Sequence, residues 1–294
     1  MRWQTSRFLI DLTQPKVMGI INLTPDSFSD GKPKRSVPQV LHFCEQLLAD
    51  GADILDIGGE STRPGAEPLG LSEELLRLLP VLREAVKLGV PVSVDTYKPQ
   101  VMQAALDLGA DIINDIWALR WHDGGAGSTG AEILAAHASC GVCLMHMHGD
   151  PKTMQVHPMQ GDVLPKVLLF LERSAQALQA LGIEKQRIVI DPGIGFGKTV
   201  EQNFSLLAGQ HRFTQLTYPL LIGWSRKSSL AGMGVPGSVK LSAQERLAPS
   251  LAAALLAAQR GAKILRVHDV KETVQVLRVL EAANNPTIQP KESA

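Results

Sequence analysis

Short apolar runs recur along the chain, at 17–22, 53–58, 91–95, 111–114, 142–147, 187–191, 219–223 and 263–268. Their apolar residues sit on nearly consecutive positions, as in strands covered on both faces, which is typical of parallel strands. Between them the apolar period lengthens to that of a helix. Residues 38–49 place Leu41, Cys44, Leu47 and Leu48 on one face. Residues 72–88 open with Ser72 and two glutamates and close at Gly89, which suits a helix dipole and a glycine stop. Pro99 begins a helix that ends at Gly109, and further helical patterns cover 130–139, 162–181, 201–208, 242–260 and 270–282, with Pro249 expected to kink its helix.

Strand then helix repeats eight times, with no break in composition and no linker. That order predicts a single-domain α/β fold, a TIM-type (β/α)8 barrel over 1–294 with its core at about 11–282. A doubly wound open sheet is the other arrangement, because strand closure is not legible in the pattern.

Composition narrows the class. Hydrophobic residues make up 45% of the 294, and 29 Lys plus Arg balance 29 Asp plus Glu. No overall field draws the chain to nucleic acid or membrane, so any anion site is local. No run approaches a membrane span, and the Ala/Leu stretch at 251–258 reads as a buried helix. The N-terminus has too short an apolar run for a secretory signal. Three cysteines, an odd number, speak against a disulfide framework and for the reducing cytoplasm.

A barrel collects its working residues at the C-terminal ends of its strands. Those ends carry Asn22, Glu60 to Arg63, Asp95, Asn114, Met145 with His146, Asp191, Ser225 to Lys227, and Arg266 with His268. Other motifs fall away on inspection. "GIGFGKT" at 193–199 lacks the first glycine of a phosphate loop, since Pro192 stands there. "CGVC" at 140–143 runs from a helix end into a strand, where no helix N-terminus lowers a thiol pKa. "HMH" at 146–148 lacks a third zinc ligand at convincing spacing. Lys227 has the chemistry for a Schiff base, but Arg226 and the neighbouring serines suit an anion or polar-ligand clamp better.

Asp95 and Asp191 accept N–H groups, and the Asn114 amide both donates and accepts, so the three suit a flat heterocycle rich in N–H, guanine-like or pterin. Arg63, Arg266 and His268 are three potential cations from separate loops, fitted to phosphate or pyrophosphate. Asn22 and Asp26 offer hard oxygens for Mg²⁺ against those phosphates. Together they suggest a substitution with pyrophosphate as leaving group.

The motifs "MGIINLTPDSFSDG", "DIGGESTRPGA", "SVDTYKP", "INDI", "CLMHMHGDPKTMQ", "DPGIGFGK", "GWSRKS" and "RVHDVKET" together closely resemble the dihydropteroate synthase family of bacterial folate biosynthesis. The resemblance implies condensation of 6-hydroxymethyl-7,8-dihydropterin pyrophosphate with 4-aminobenzoate, a magnesium cofactor, a homodimer and a site of the kind that sulfonamides target. It assigns the pterin to Asp95, Asn114, Asp191 and Lys227, with Met145 and Phe196 packing around it and Arg266 over the ring. Asn22 would reach the metal and pyrophosphate, with Arg63, Arg266 and His268 on the phosphates. Aminobenzoate would lie against Thr62, Pro64, Phe28 and Phe196, its carboxylate near Ser228 and the start of a short helix. Pterin-binding methyltransferases share the barrel and the pterin carboxylates, but are not expected to carry "TPDSFSDG", "STRPG" and "SRKS" together.

"INLTPDSFSDG" at 21–31 is longer than a connector needs to be and carries a lone aromatic. We expect a lid there, ordering after the first substrate, with Asp26 drawn to the metal and Phe28 over the amine.

Overall fold

The structure, a computed structural model, describes residues 1–23, 36–63, 65–122, 124–125, 127–237 and 239–285. It opens with an antiparallel hairpin, β1 (Arg2–Gln4) and β2 (Leu9–Asp11), that the apolar pattern did not announce. Eight parallel strands follow: β3 (Lys16–Asn22), β4 (Ile54–Gly58), β5 (Val92–Asp95), β6 (Ile112–Asp115), β7 (Gly141–Met145), β8 (Ile188–Asp191), β9 (Leu221–Ile222) and β10 (Ile264–Val267). They pair in the order β8-β7-β6-β5-β4-β3-β10-β9. A parallel bridge between Ile190 and Leu220 joins the two ends, with the Ile190 N–H donating to the Pro219 carbonyl at 3.0 Å. The sheet is therefore a barrel, closed most thinly beside the two-residue β9.

The helices lie outside: α1 (Val37–Ala49), α2 (Leu71–Ala85), α3 (Pro99–Asp107), α4 (Gly130–Ala136), α5 (Leu164–Ala180), α6 (Val200–Ala208), α7 (Leu247–Gln259) and α8 (Val270–Asn284). Pro249 does not kink its helix. It falls in the first turn of α7, where its missing N–H has no intrahelical partner to lose. The proline inside a helix is Pro80 of α2.

Side chains alternate along each strand, and one parity faces the barrel axis. Met18, Ile54, Ile112, Cys143, Val189, Leu221 and Ile264 meet there as a buried apolar cluster with Trp3, Ile10 and Leu12 of the N-terminal segment. Trp3 seals the lower end, its Nε1 donating to the Arg187 carbonyl at 2.9 Å. A Cβ on Gly141 would stand 3.1 Å from that indole nitrogen and from the Gln4 carbonyl, so the hairpin plugs the barrel closely. The opposite parity packs under the helices in the larger core.

Candidate active site

Two residues further along the same strands, the inward positions become Ile20, Asp56, Asn114, Met145, Asp191, Gly223 and Arg266, with Asp95 on β5. The period-two alternation that buries the apolar layer thus aims this second set at the mouth. A cavity of about 520 Å³ opens there, and every predicted site residue among the described ones lines it. Asn22, Asp95, Asn114, Met145 and Asp191 come from strand ends. Thr62, Arg63, Phe196, Lys227, Ser228, Arg266 and His268 complete it. Asp26, Phe28 and Pro64, and the lid expected around them, lie outside the described residues.

The loop after β8 owes its shape to glycine. Gly193, Gly195 and Gly197 have φ of 68°, 84° and 69°. A Cβ at Gly193 would stand 2.0 Å from the His146 carbonyl, and one at Gly197 would stand 2.3 Å from the His148 carbonyl. Lys198 is buried beneath the loop and donates to the carbonyls of Gly193, Phe196 and His146 at 2.8, 3.0 and 3.2 Å. The lysine of "GFGK" is therefore a strut for the loop. Phe196 is left against Lys227, whose Nζ sits 4.3 Å from the ring centroid. Lys227 follows a tight turn at Arg226, which has φ 58° and is held by Asp269 through Nη2 at 2.5 Å.

The floor of the cavity is a buried charge network. Arg266 donates from Nε to Asp56 and from Nη2 to Asp95, both at 2.6 Å, and the Asn114 amide reaches Asp56 at 3.4 Å. Asp191 accepts the Gly193 N–H at 2.7 Å. Burial pushes Asp95 up to about 7 against the pull of Arg266, and raises Asp191 to about 6. Burial, with repulsion from Arg266, brings Lys227 down to about 8.

Two expected charges change here. Arg266 is engaged by two carboxylates, so its charge is largely neutralised within the floor. His268 is pushed down to about 3 by burial and by Arg226, Arg266, Arg63 and Lys227, so it is a neutral imidazole and not a cation. Its Nδ1 pairs with the Ser225 hydroxyl at 2.9 Å. Among the described residues, the positive charge of the cavity lining that is not paired with a carboxylate is that of Arg63, which is exposed, of Lys227, and of Arg246, which donates to the Leu241 and Arg226 carbonyls. The expected short helix at Ser228 is a single 3₁₀ turn, Ser228–Leu230, too short to carry a useful dipole. Asp56, which sequence reasoning missed, sits mid-strand in an apolar run and is fully buried. A carboxylate inside a strand expected to be covered on both faces was the available signal. In the "CGVC" stretch, Cys140 and Cys143 are buried and their thiols pushed up by burial, and among the described residues no group of His, Cys, Asp or Glu is placed to hold a metal ion.

Comparison with known proteins fits this floor of carboxylates and amide. Residues 18–268 match the family model for pterin binding enzymes. The dihydropteroate synthase of Neisseria meningitidis serogroup B is 49% identical over 286 residues, spanning 95% of this chain and 96% of that protein. The chain belongs to the dihydropteroate synthase family. The Burkholderia cenocepacia dihydropteroate synthase, solved with 7,8-dihydropteroate, superposes with a TM-score of 0.83 at 44% identity, covering 97% of each chain. The Yersinia pestis dihydropteroate synthase, solved in a sulfonamide drug complex, gives a TM-score of 0.87 at 40% identity, covering 97% of this chain and 99% of that one. Membership makes the chain a transferase of folate biosynthesis.

Proposed function

We propose that the barrel mouth divides the synthase reaction between a fixed floor and a set of loops. The reaction condenses 6-hydroxymethyl-7,8-dihydropterin pyrophosphate with 4-aminobenzoate, giving 7,8-dihydropteroate and pyrophosphate. The dihydropterin edge lies on Asp95, Asn114 and Asp191, with Lys227 on a ring acceptor and Met145 and Phe196 against its faces. Arg266 stays beside the ring, tied to Asp56 and Asp95. The pyrophosphate meets Asn22, Arg63 and the His268 N–H. The aminobenzoate rests against Thr62 and Phe196, its carboxylate toward Ser228.

The dihydropterin nitrogens support a cation at the exocyclic methylene as the C–O bond breaks and its electron pair leaves with pyrophosphate. The arylamine lone pair then forms the C–N bond, and the nitrogen gives up a proton. Holding charges and aligning the amine are the tasks left to the protein. Magnesium suits the neutral hard oxygen of Asn22, since this ion takes few protein ligands where phosphates supply the rest, and when bound it offsets charge on the leaving group.

The observation that carries this reading is the pairing of two buried carboxylates and an amide with cationic loops across one cavity. Among the described residues no helix is long and apolar enough to cross a membrane. We assign the chain to the cytoplasm, in keeping with three buried free cysteines. The charge-free outer face of α7, with Leu256 39% exposed, supports a homodimer. Mixing both substrates should release pyrophosphate, with and without Mg²⁺ as the two arms. Release from the pterin substrate alone at the full rate would defeat the condensation. Sulfonamides, which share the aryl amine, should compete with 4-aminobenzoate and not with the pterin; non-competitive inhibition would move the second substrate elsewhere.

A further inference from the structure

Behind the cavity wall lies a second buried charge cluster, none of whose residues lines the cavity itself, although the Tyr97 ring packs in one buried group with Met145 and Phe196. β5 ends at Asp95, which faces the cavity; the next three residues, Thr96, Tyr97 and Lys98, are buried. Lys98 Nζ donates to Glu60 Oε2 and, at 2.6 Å, to Glu74 Oε2 on α2. The Tyr97 hydroxyl donates to Glu60 Oε1 at 2.9 Å, and the Thr96 hydroxyl to Glu74 Oε1 at 2.7 Å. All four carboxylate oxygens are thus satisfied. The side chains of Lys98, Glu60 and Glu74 are 7%, 7% and 1% exposed.

A buried ion triad is a poor source of stability, because desolvation offsets most of the attraction, and apolar replacements are often as stable. What it supplies is one geometry. Glu60 immediately precedes the cavity loop that carries Thr62 and Arg63. Just before it, Gly59 is pressed against α2: a Cβ there would stand 3.0 Å from Glu74 Cγ, and its carbonyl accepts Arg77 Nη1 at 3.3 Å. On the far side the Gly65 N–H donates to the Pro151 carbonyl at 3.0 Å. The loop is clamped at both ends.

We propose that Lys98, Tyr97, Glu60 and Glu74 are positioning residues that set the 61–63 loop, and through it Thr62 and Arg63, for the pyrophosphate and the aminobenzoate. The inference rests on the site assignment given above. It separates two functions of one strand end: Asp95 grips the pterin, and the three residues after it aim the loop that follows the neighbouring strand β4.

Tyr97→Phe is the sharpest test. It removes one of the four bonds and no charge, and it keeps the ring on Trp121 (centroids 5.2 Å apart) and under Lys98 (4.5 Å). We expect the KM for 4-aminobenzoate to rise roughly threefold to tenfold, the range of one hydrogen bond's net contribution, with kcat lowered. Calorimetric affinity for the bare 6-hydroxymethylpterin ring should change less than about twofold. In an Arg63→Ala, Thr62→Val background the effect of Tyr97→Phe should vanish, because it acts through those side chains. Lys98→Met should show the same split more strongly and Lys98→Arg should restore part of it; the Tyr97→Phe arm stands should Lys98→Met not fold. Wild-type constants for Tyr97→Phe, or equal weakening of the pterin ring, overturn the inference. A silent Arg63→Ala, Thr62→Val protein overturns the loop assignment itself, and this inference with it. An impaired one alongside a silent Tyr97→Phe overturns this inference alone.

Discussion

The barrel interior holds two layers, one pleat apart on the same strands. In the lower, Met18, Ile54, Ile112, Val189, Leu221 and Ile264 pack on Trp3. In the upper, a step of roughly 6.6 Å further on, Asp56, Asn114, Asp191 and Arg266 stand on the strands that carry Ile54, Ile112, Val189 and Ile264. Backbone alternation makes both layers face inward, so geometry alone does not separate them. What separates them is solvation: the lower layer is sealed by the hairpin, the upper opens to the cavity and a ligand. The lower layer lends stability, and the upper one spends it on buried charge that only a ligand completes.

The largest effect should follow from breaking the charge balance of the upper layer. Arg266→Met leaves Asp56 and Asp95 facing each other without their cation, and we expect a loss of about 3–5 kcal/mol in urea denaturation. Adding Asp56→Asn should return part of it. Unchanged stability in the single variant would mean that the floor is not held together by this arginine. The matching cut below, Ile112→Ala, should cost about 2–5 kcal/mol of stability, while the pterin affinity of the folded protein stays near normal by calorimetry.

Asp191→Asn should act the other way round, on binding more than on stability. Among the described residues, the Asp191 carboxylate takes one hydrogen bond, from the Gly193 N–H. Its remaining acceptor capacity belongs to the ligand, and an amide would present a donor there. Pterin pyrophosphate affinity should fall by about 2–3 kcal/mol, the range for bonds to a charged group; near-normal affinity would remove Asp191 from the site.

The pH profile probes the same floor without mutation. Asp95 at about 7 and Asp191 at about 6 are neutral in part in the free protein, because burial disfavours their charge. Pterin N–H donors favour the ionised forms, so binding should be tightest above these values. It should weaken as pH falls through 7 and then 6, by up to about tenfold per unit for each carboxylate. Lys227, at about 8, is cationic below that value and loses its charge above it. Affinity for the pyrophosphate substrate should therefore peak between about 7 and 8 and fall on both sides; a flat profile from 5 to 9 would contradict the buried-floor reading.

All eight barrel strands and their helices were legible, because parallel strands buried on both faces leave short apolar runs that alternate regularly with longer helical patterns. The hairpin was not, since β1 and β2 have three residues each, too few to show a period. The strand-end residues of the site were legible for a related reason: polar side chains at the ends of apolar runs stand out. Asp56 hid because it lies inside such a run. The charge state of His268 was illegible because burial sets it, reinforced by Arg266 on the same strand and by Arg226, Lys227 and Arg63 brought in by the fold. The Lys98 cluster was equally hidden, since "ESTR" and "DTYK" show no sign of meeting until β4 and β5 pair.

Ser93 marks where the two layers join, and it should give the smallest effect. It precedes Asp95 by one pleat, pairs in register with Asp56 and Ile112, and is fully buried. Its hydroxyl has no hydrogen-bond partner among the described residues. An unpaired buried hydroxyl costs about 1–3 kcal/mol, while deleting it leaves a small void, so the two terms nearly cancel. Ser93→Ala should therefore change stability by less than about 1 kcal/mol and leave pterin affinity unaltered. That result would place the boundary on β5 between Ser93 and Asp95, as on its neighbours between Ile112 and Asn114. A clear loss of pterin affinity in a stable Ser93→Ala protein would instead put the hydroxyl in the ligand's hydrogen-bond network, and extend the polar floor one pleat deeper on that strand alone.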